Sequence, residues 1–251
     1  MDLELKDRVY IVTGATRGLG RATAAQLLAE GAKVVVSGRH AEEAAKAAGE
    51  LGEGAVGIGA DNADPATPGR LIHAAREHFG RLDGVLISVG GPPAGAAEQL
   101  TDDQWERAFE SVFLGAVRLA RAVAGELGEG GVIGFVLSSS VYEPVRGLTI
   151  SNALRPGLAG YAKSLAGELG PRGVRVVGLL PARIDTDRVR ELDALTGDAD
   201  ASRARQSAAI PLGRYGRPEE FGKTAAFLLS PAASYLTGVM LPVDGGALHS
   251  F

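Results

Sequence analysis

The chain has 251 residues, 45% of them apolar, which suits one globular α/β domain with a full core. A net charge of −4 leaves no electrostatic footprint for nucleic acid, and the absence of cysteine excludes disulfides, thiolate catalysis and Cys-ligated metals. The four histidines, at 40, 73, 78 and 249, have no ligand spacing, so no metal is expected. Met1-Asp2-Leu3-Glu4-Leu5-Lys6 lacks the basic and apolar regions of a signal peptide, and no apolar run is long enough to span a bilayer. The expectation is a cytoplasmic protein with no membrane partner.

Val9–Thr13 is an apolar run of strand type, followed from Leu19 by an Ala/Leu-rich helix. Between them lies Thr13-Gly14-Ala15-Thr16-Arg17-Gly18-Leu19-Gly20. A glycine-rich turn between strand and helix lets backbone N–H groups approach a pyrophosphate, and the helix N-terminus adds partial positive charge. The alternation then continues. Lys33–Ser37, Ala55–Ala60, Gly84–Ser88, Val132–Leu137, Arg175–Leu180 and Val239–Val243 read as strands. Ala41–Leu51 and Arg70–Phe79 read as helices, and Thr101-Asp102-Asp103-Gln104 is a capping box opening a long helix towards Leu127. A further helix runs from about Ser151 to Gly170-Pro171, and another starts at Pro218 and ends before Pro231.

Strands alternating with helices imply right-handed crossovers and a parallel sheet covered on both faces. The expected fold is α/β, three-layer and doubly wound, with a seven-stranded parallel sheet in a single domain over residues 1–251. Ala182–Leu212 is the exception to the alternation. It is polar, rich in aspartate and without a clear strand, and it reads as a substrate lid beyond a strand's carboxyl end.

The second strand ends in Val36-Ser37-Gly38-Arg39, with no acid until Glu42. An acid here would take a ribose 2′-hydroxyl, whereas an arginine pairs with a 2′-phosphate. Arg39, helped by Arg17 and Ser37, therefore favours NADP(H) over NAD(H), unless both arginines are ordinary surface charges. Asp61-Asn62, after the third strand, is placed to meet an adenine; alternatively Asp61 is a turn residue.

Together these features make the chain resemble the short-chain dehydrogenase/reductases over nearly its whole length, and within them the 3-oxoacyl-(acyl-carrier-protein) reductase type. Thr13–Gly20 matches the family's Thr-Gly-x-x-x-Gly-x-Gly loop. Gly80-Arg81-Leu82-Asp83-Gly84, Gly173-Val174-Arg175-Val176 and Val243-Asp244-Gly245-Gly246 match further motifs. Pro181-Ala182-Arg183-Ile184-Asp185-Thr186 resembles the family's Pro-Gly loop around the nicotinamide, with Ala182 for glycine. The resemblance implies a Rossmann fold and a dinucleotide held by Gly14, Thr16, Arg17, Gly18, Leu19, Gly20, Ser37, Arg39, Asp61, Asn62, Val89, Gly90, Gly91, Pro181, Ile184 and Thr186. It also implies a homo-oligomer, dimer or homotetramer, pairing through the long helices.

The active-site positions depart from the family. Its Asn-Asn-Ala-Gly is Ser88-Val89-Gly90-Gly91, its helix asparagine is Val112, and its Tyr-x-x-x-Lys is Ser151-Asn152-Ala153-Leu154-Arg155. The catalytic serine corresponds to Ser138, with Ser140 as second candidate. An aliphatic hydroxyl is a weaker acid than a phenol by several units, at about 1.4 kcal/mol per unit, and arginine releases no proton. Ser151 and Arg155, four apart on one helix face, can still stabilise developing negative charge. Tyr142, in Val141-Tyr142-Glu143-Pro144-Val145-Arg146, is a substitute acid or a surface aromatic; Pro144 rules out a regular helix there. The expected function is an NADP(H)-dependent oxidoreductase passing hydride to a small-molecule carbonyl substrate. The alternative is an NADP(H)-binding protein with little or no turnover, a sensor or assembly subunit.

Overall fold

The structure, a computed structural model, describes residues 1–250. Seven strands form one parallel sheet: β1 (Val9–Val12), β2 (Lys33–Gly38), β3 (Ala55–Gly59), β4 (Gly84–Ile87), β5 (Val132–Val136), β6 (Arg175–Pro181) and β7 (Met240–Val243). Their order is β3-β2-β1-β4-β5-β6-β7, so the chain winds outward from β1, returns, and winds the other way from β4. The expected doubly wound α/β fold is the one observed.

Period-two alternation explains the two layers. In β1, Val9 and Ile11 join one core, while Tyr10 and Val12 join the other. The first core holds Leu71 of α3 (Thr67–Phe79), Leu119 of α5 (Gly115–Glu126) and Leu158 of α6 (Thr149–Leu169). The second holds Leu27 of α1 (Gly18–Ala29), Ala48 of α2 (Ala41–Leu51) and Phe221 of α9 (Pro218–Leu229). Because both faces are covered, the strands read as near-continuous apolar runs. Helices α1 and α9 touch backbone to backbone: a Cβ at Gly222 would lie 2.6 Å from the Ala22 oxygen.

Two elements differ from expectation. The Thr101 capping box forms, but the helix it opens is not continuous. Helix α4 (Asp102–Ala108) passes into a π-helical segment, Phe109–Leu114, before α5. The widened turn lies against the loop after β3, where a Cβ at Gly115 would overlap the Asn62 carbonyl oxygen. Arg118 Nη1 ties the two together, donating to Glu110 Oε2 at 3.0 Å and Ala63 O at 3.2 Å.

The lid region is also more ordered than its polar sequence suggests. It carries α7 (Asp187–Ala194) and α8 (Ala199–Ala208), gathered around the buried Asp193 carboxylate. That carboxylate accepts from Tyr215 Oη at 3.0 Å and Ser202 Oγ at 2.9 Å, and pairs with Arg183 Nη1 at 3.4 Å. Arg203 lies over the Tyr215 ring at 4.5 Å and pairs with Asp185 at 3.0 Å. Among the described residues no helix is long and apolar enough to cross a membrane.

Candidate active site

The winding reverses between β1 and β4, and open sheets bind ligands at the carboxyl ends beside such a reversal. The candidate residues lie at or just beyond the strands' carboxyl ends, including Ser37 in β2 and Pro181 in β6, with Gly18, Leu19 and Gly20 opening α1 and Ser151 and Arg155 on α6.

The glycine turn is built for close approach. Gly14 and Gly18 adopt φ of 57° and 59°, and a Cβ at Gly14 would lie 2.6 Å from the Ser88 oxygen. Thr13 Oγ1 donates to that oxygen at 2.8 Å and accepts from Ser88 N at 2.9 Å, joining the loops after β1 and β4. Arg17 occupies the N-cap of α1 with no side-chain cap hydrogen bond, and the first turn holds no acid. The helix therefore offers backbone donors and its positive dipole end, which suits a pyrophosphate.

Arg39 is exposed at the end of β2, beyond Ser37, whose buried Oγ has no hydrogen-bond partner. An orphaned buried hydroxyl two residues before an exposed arginine fits a polar ligand at this strand end. Arg17 Nη1 lies 3.6 Å from Asp187 and 3.7 Å from Glu191 of α7, so the acids of that helix reach the glycine loop. Thr186, at the N-cap of α7, faces Gly18, and Ile184 is buried beneath it. Asp61 Oδ1 accepts from Ala63 N at 3.0 Å, closing a turn after β3.

Three serines follow β5, and a short turn decides between them. Ser138 Oγ accepts from Ser140 N at 3.1 Å and caps the 3₁₀ turn Ser139–Val141. Ser140 Oγ instead lies 3.5 Å from Ser151 Oγ, with both hydroxyls buried. The structure thus brings Ser140 to Ser151, and Ser138 holds the turn. Tyr142 is 44% exposed, and its phenol donates to the Met240 oxygen at 3.4 Å rather than to either serine.

Arg155 is only 5% exposed and sits as a wedge between two strand ends. Nη1 donates to Val136 O at 2.7 Å and Nη2 to Val89 O at 3.2 Å. Each Nη thus donates one of its two N–H groups to a backbone carbonyl, which anchors the guanidinium between the ends of β4 and β5. Burial pushes its ionisation down to about 10, which leaves it charged at neutral pH.

Three residues that the sequence reading passed over shape the walls. Asn152 accepts from Val145 N at 3.0 Å and donates to Val145 O at 2.9 Å, fixing the loop between β5 and α6. That loop is sewn to the one after β4 by Gly95 N to Gly147 O at 2.8 Å and Thr149 Oγ1 to Gly95 O at 3.1 Å. From the lid, Arg188 Nη2 donates to Pro92 O at 2.7 Å, and a Cβ at Gly91 would lie 2.8 Å from Arg188 Nε. The third is the Asp193 hub. Polar residues next to a candidate motif were the available signal for Asn152; nothing local marked the other two. A cleft of 460 Å³ opens between residues 90–93 and the side of α4 and the π segment, reaching Val112.

A family model described as enoyl-(acyl carrier protein) reductase matches residues 14–248. The chain is 32% identical over 246 residues to 3-oxoacyl-(acyl-carrier-protein) reductase FabG of Salmonella typhimurium, covering 97% of this chain and 98% of that one. L-sorbose reductase from Gluconobacter frateurii, solved with NADPH and L-sorbose, superposes with TM-score 0.91 at 28% identity over the whole of both chains. The 3-ketoacyl-(acyl-carrier-protein) reductase from Brucella melitensis, solved with NADH, gives 0.85 at 31% identity over 97% of this chain and 99% of that one.

Proposed function

Because the chain belongs to the short-chain dehydrogenase/reductase family, we propose that it is an NADPH-dependent reductase of activated carbonyls with a hydroxyl-pair active site. The observation that carries this reading is the buried Ser140–Ser151 pair, at the same sheet edge as an uncapped helix N-terminus. The residues fit a dinucleotide. The first turn of α1 takes the pyrophosphate, and Arg17, Ser37 and Arg39 take a 2′-phosphate, which favours NADP(H). Asn62 and the neighbouring turn flank the adenine end. With the adenosine half lying towards β2 and β3, the other half extends over Val89, Gly90 and Gly91 and the ends of β4 to β6, under Pro181, Ile184 and Thr186.

The bound dinucleotide supplies hydride. The substrate oxygen, gaining negative charge as hydride reaches the carbonyl carbon, is met by the Ser140 and Ser151 hydroxyls, and the balancing proton comes from water. Ser138 holds the turn that aims Ser140. Arg155 contributes charge through space rather than a proton. Without a phenol the barrier for proton delivery is higher, so 3-oxoacyl thioesters, β-keto esters and quinones suit the site better than simple ketones. The long helices supply a homo-oligomer interface: Phe109 stacks on Phe113 at 5.3 Å yet stays 43% exposed.

Titration with NADPH and NADH, followed by NADPH oxidation against those carbonyls, tests this reading. Tighter NADPH binding with turnover that falls at least tenfold in Ser140→Ala and Ser151→Ala supports it. Binding without turnover on any of them favours the second reading, a dinucleotide-binding sensor or assembly subunit. The specific observation behind that second reading is that the Arg155 guanidinium is anchored to Val136 O and Val89 O and releases no proton, so it does not serve as a base for Ser151.

A further inference from the structure

Resting on the proposed dinucleotide site, we infer that Arg155 makes this protein select the reduced dinucleotide over the oxidised one. The guanidinium lies at the carboxyl ends of β4 and β5, held by Val89 O and Val136 O. Among the described residues no carboxylate pairs with it, and burial alone perturbs its charge, so the cation is buried without an anion. An uncompensated buried charge is costly, and it acts strongly on any charge that arrives beside it.

The two redox forms differ in charge at one place: the nicotinamide ring is neutral when reduced and carries one positive charge when oxidised. The phosphates are common to both, so the glycine turn, Arg17 and Arg39 do not distinguish them. The only groups that do are those near the ring end. Arg155 disfavours the cationic ring, and its burial keeps solvent from screening that repulsion. Repulsion between unit charges up to about 10 Å apart, at an effective dielectric of about 20, corresponds to tenfold in affinity or more.

The other charged groups of this edge do not cancel it. Arg188, on the Pro92 carbonyl, adds positive charge but has Glu191 at 3.8 Å. Glu143, in the loop after β5, is solvated and already accepts from His249 N at 2.8 Å and Ser250 N at 3.0 Å. Arg17 faces Asp187 and Glu191 at the pyrophosphate end. Ser151, one turn before Arg155, contributes no charge. A product that leaves because its charge is unwelcome clears the site for the next reduced molecule, and the bias works against the reverse reaction.

Calorimetric titration of the whole protein with NADPH and with NADP⁺ at pH 7.5 tests the inference. The wild type is expected to bind NADPH at least tenfold more tightly. Arg155→Lys keeps the charge and at least half of that ratio on a logarithmic scale. Arg155→Met brings the ratio to within threefold of unity. Ser151→Asp, which gives the cation a neighbouring anion while leaving it in place, also shrinks the ratio; it decides the matter if Arg155→Met fails to melt cooperatively. A wild-type ratio near one, or a ratio unchanged in both the Met and Asp variants, overturns the inference while leaving the dinucleotide site intact. Failure of either dinucleotide to bind overturns that site and this inference together.

Discussion

Asn152 uses its carboxamide to satisfy both the N–H and the carbonyl of Val145. Asn152→Ala leaves those groups to water or to nothing, at a cost of about 2 kcal/mol for two net hydrogen bonds. The melting temperature is expected to fall by roughly 5 °C, from about 2–4 °C per kcal/mol in a chain of this size. NADPH affinity should stay within twofold, because the loop lies on the substrate side; an unchanged melting curve would sink the assignment. Sequence and structure part company most at this scale. The glycine turn was legible because its glycines answer to backbone constraint, as the φ values of Gly14 and Gly18 bear out. The serine was not: three consecutive serines are chemically equivalent until a 3₁₀ turn points one at α6 and folds another back onto its own chain. Nor were the partners of Arg155, since a backbone carbonyl leaves no mark in a side-chain pattern.

At the scale of elements, the five inner strands were readable because they are buried on both faces and so read as nearly continuous apolar runs, while the edge strands β3 and β7, only partly buried, were placed by the alternation of strands and helices. The π segment was not, because one extra residue in a helical turn scarcely disturbs a period of 3.6 over so short a stretch. The lid helices escaped notice because their core is the Asp193 carboxylate rather than a stripe of apolar residues. The 182–212 segment contacts the β4 loop through Arg188, and that contact depends on the missing side chain at position 91. Gly91→Ala is expected to push Arg188 off the Pro92 carbonyl. Hydrogen exchange in α7 should then rise severalfold while the sheet stays protected and global stability drops by only about 1 kcal/mol. Exchange in α7 equal to that of the wild type would show that the arginine does not hold this helix in place.

For the molecule as a whole, acid stability should be governed in part by the entry to α9. Glu220 accepts from Arg214 at 2.8 and 2.9 Å and from Arg217 N at 2.7 Å, and the Arg214 bonds above all pull its carboxyl from 4.5 down to about 2. A carboxyl whose value is lower in the folded state stabilises the fold above its unfolded value and loses that contribution as pH falls through the folded one. Glu220→Gln should therefore melt earlier than the wild type above about pH 4.5. The two curves should converge as pH approaches 2, and a constant gap across that range would refute the linkage. The bonds between Gly95, Gly147 and Thr149 rivet two chain-distant loops into a single jaw. Retargeting this scaffold by transplanting one loop from a relative would strand the other's carbonyls. Grafts will take only when both segments, with their threonine rivet, are exchanged as a matched set.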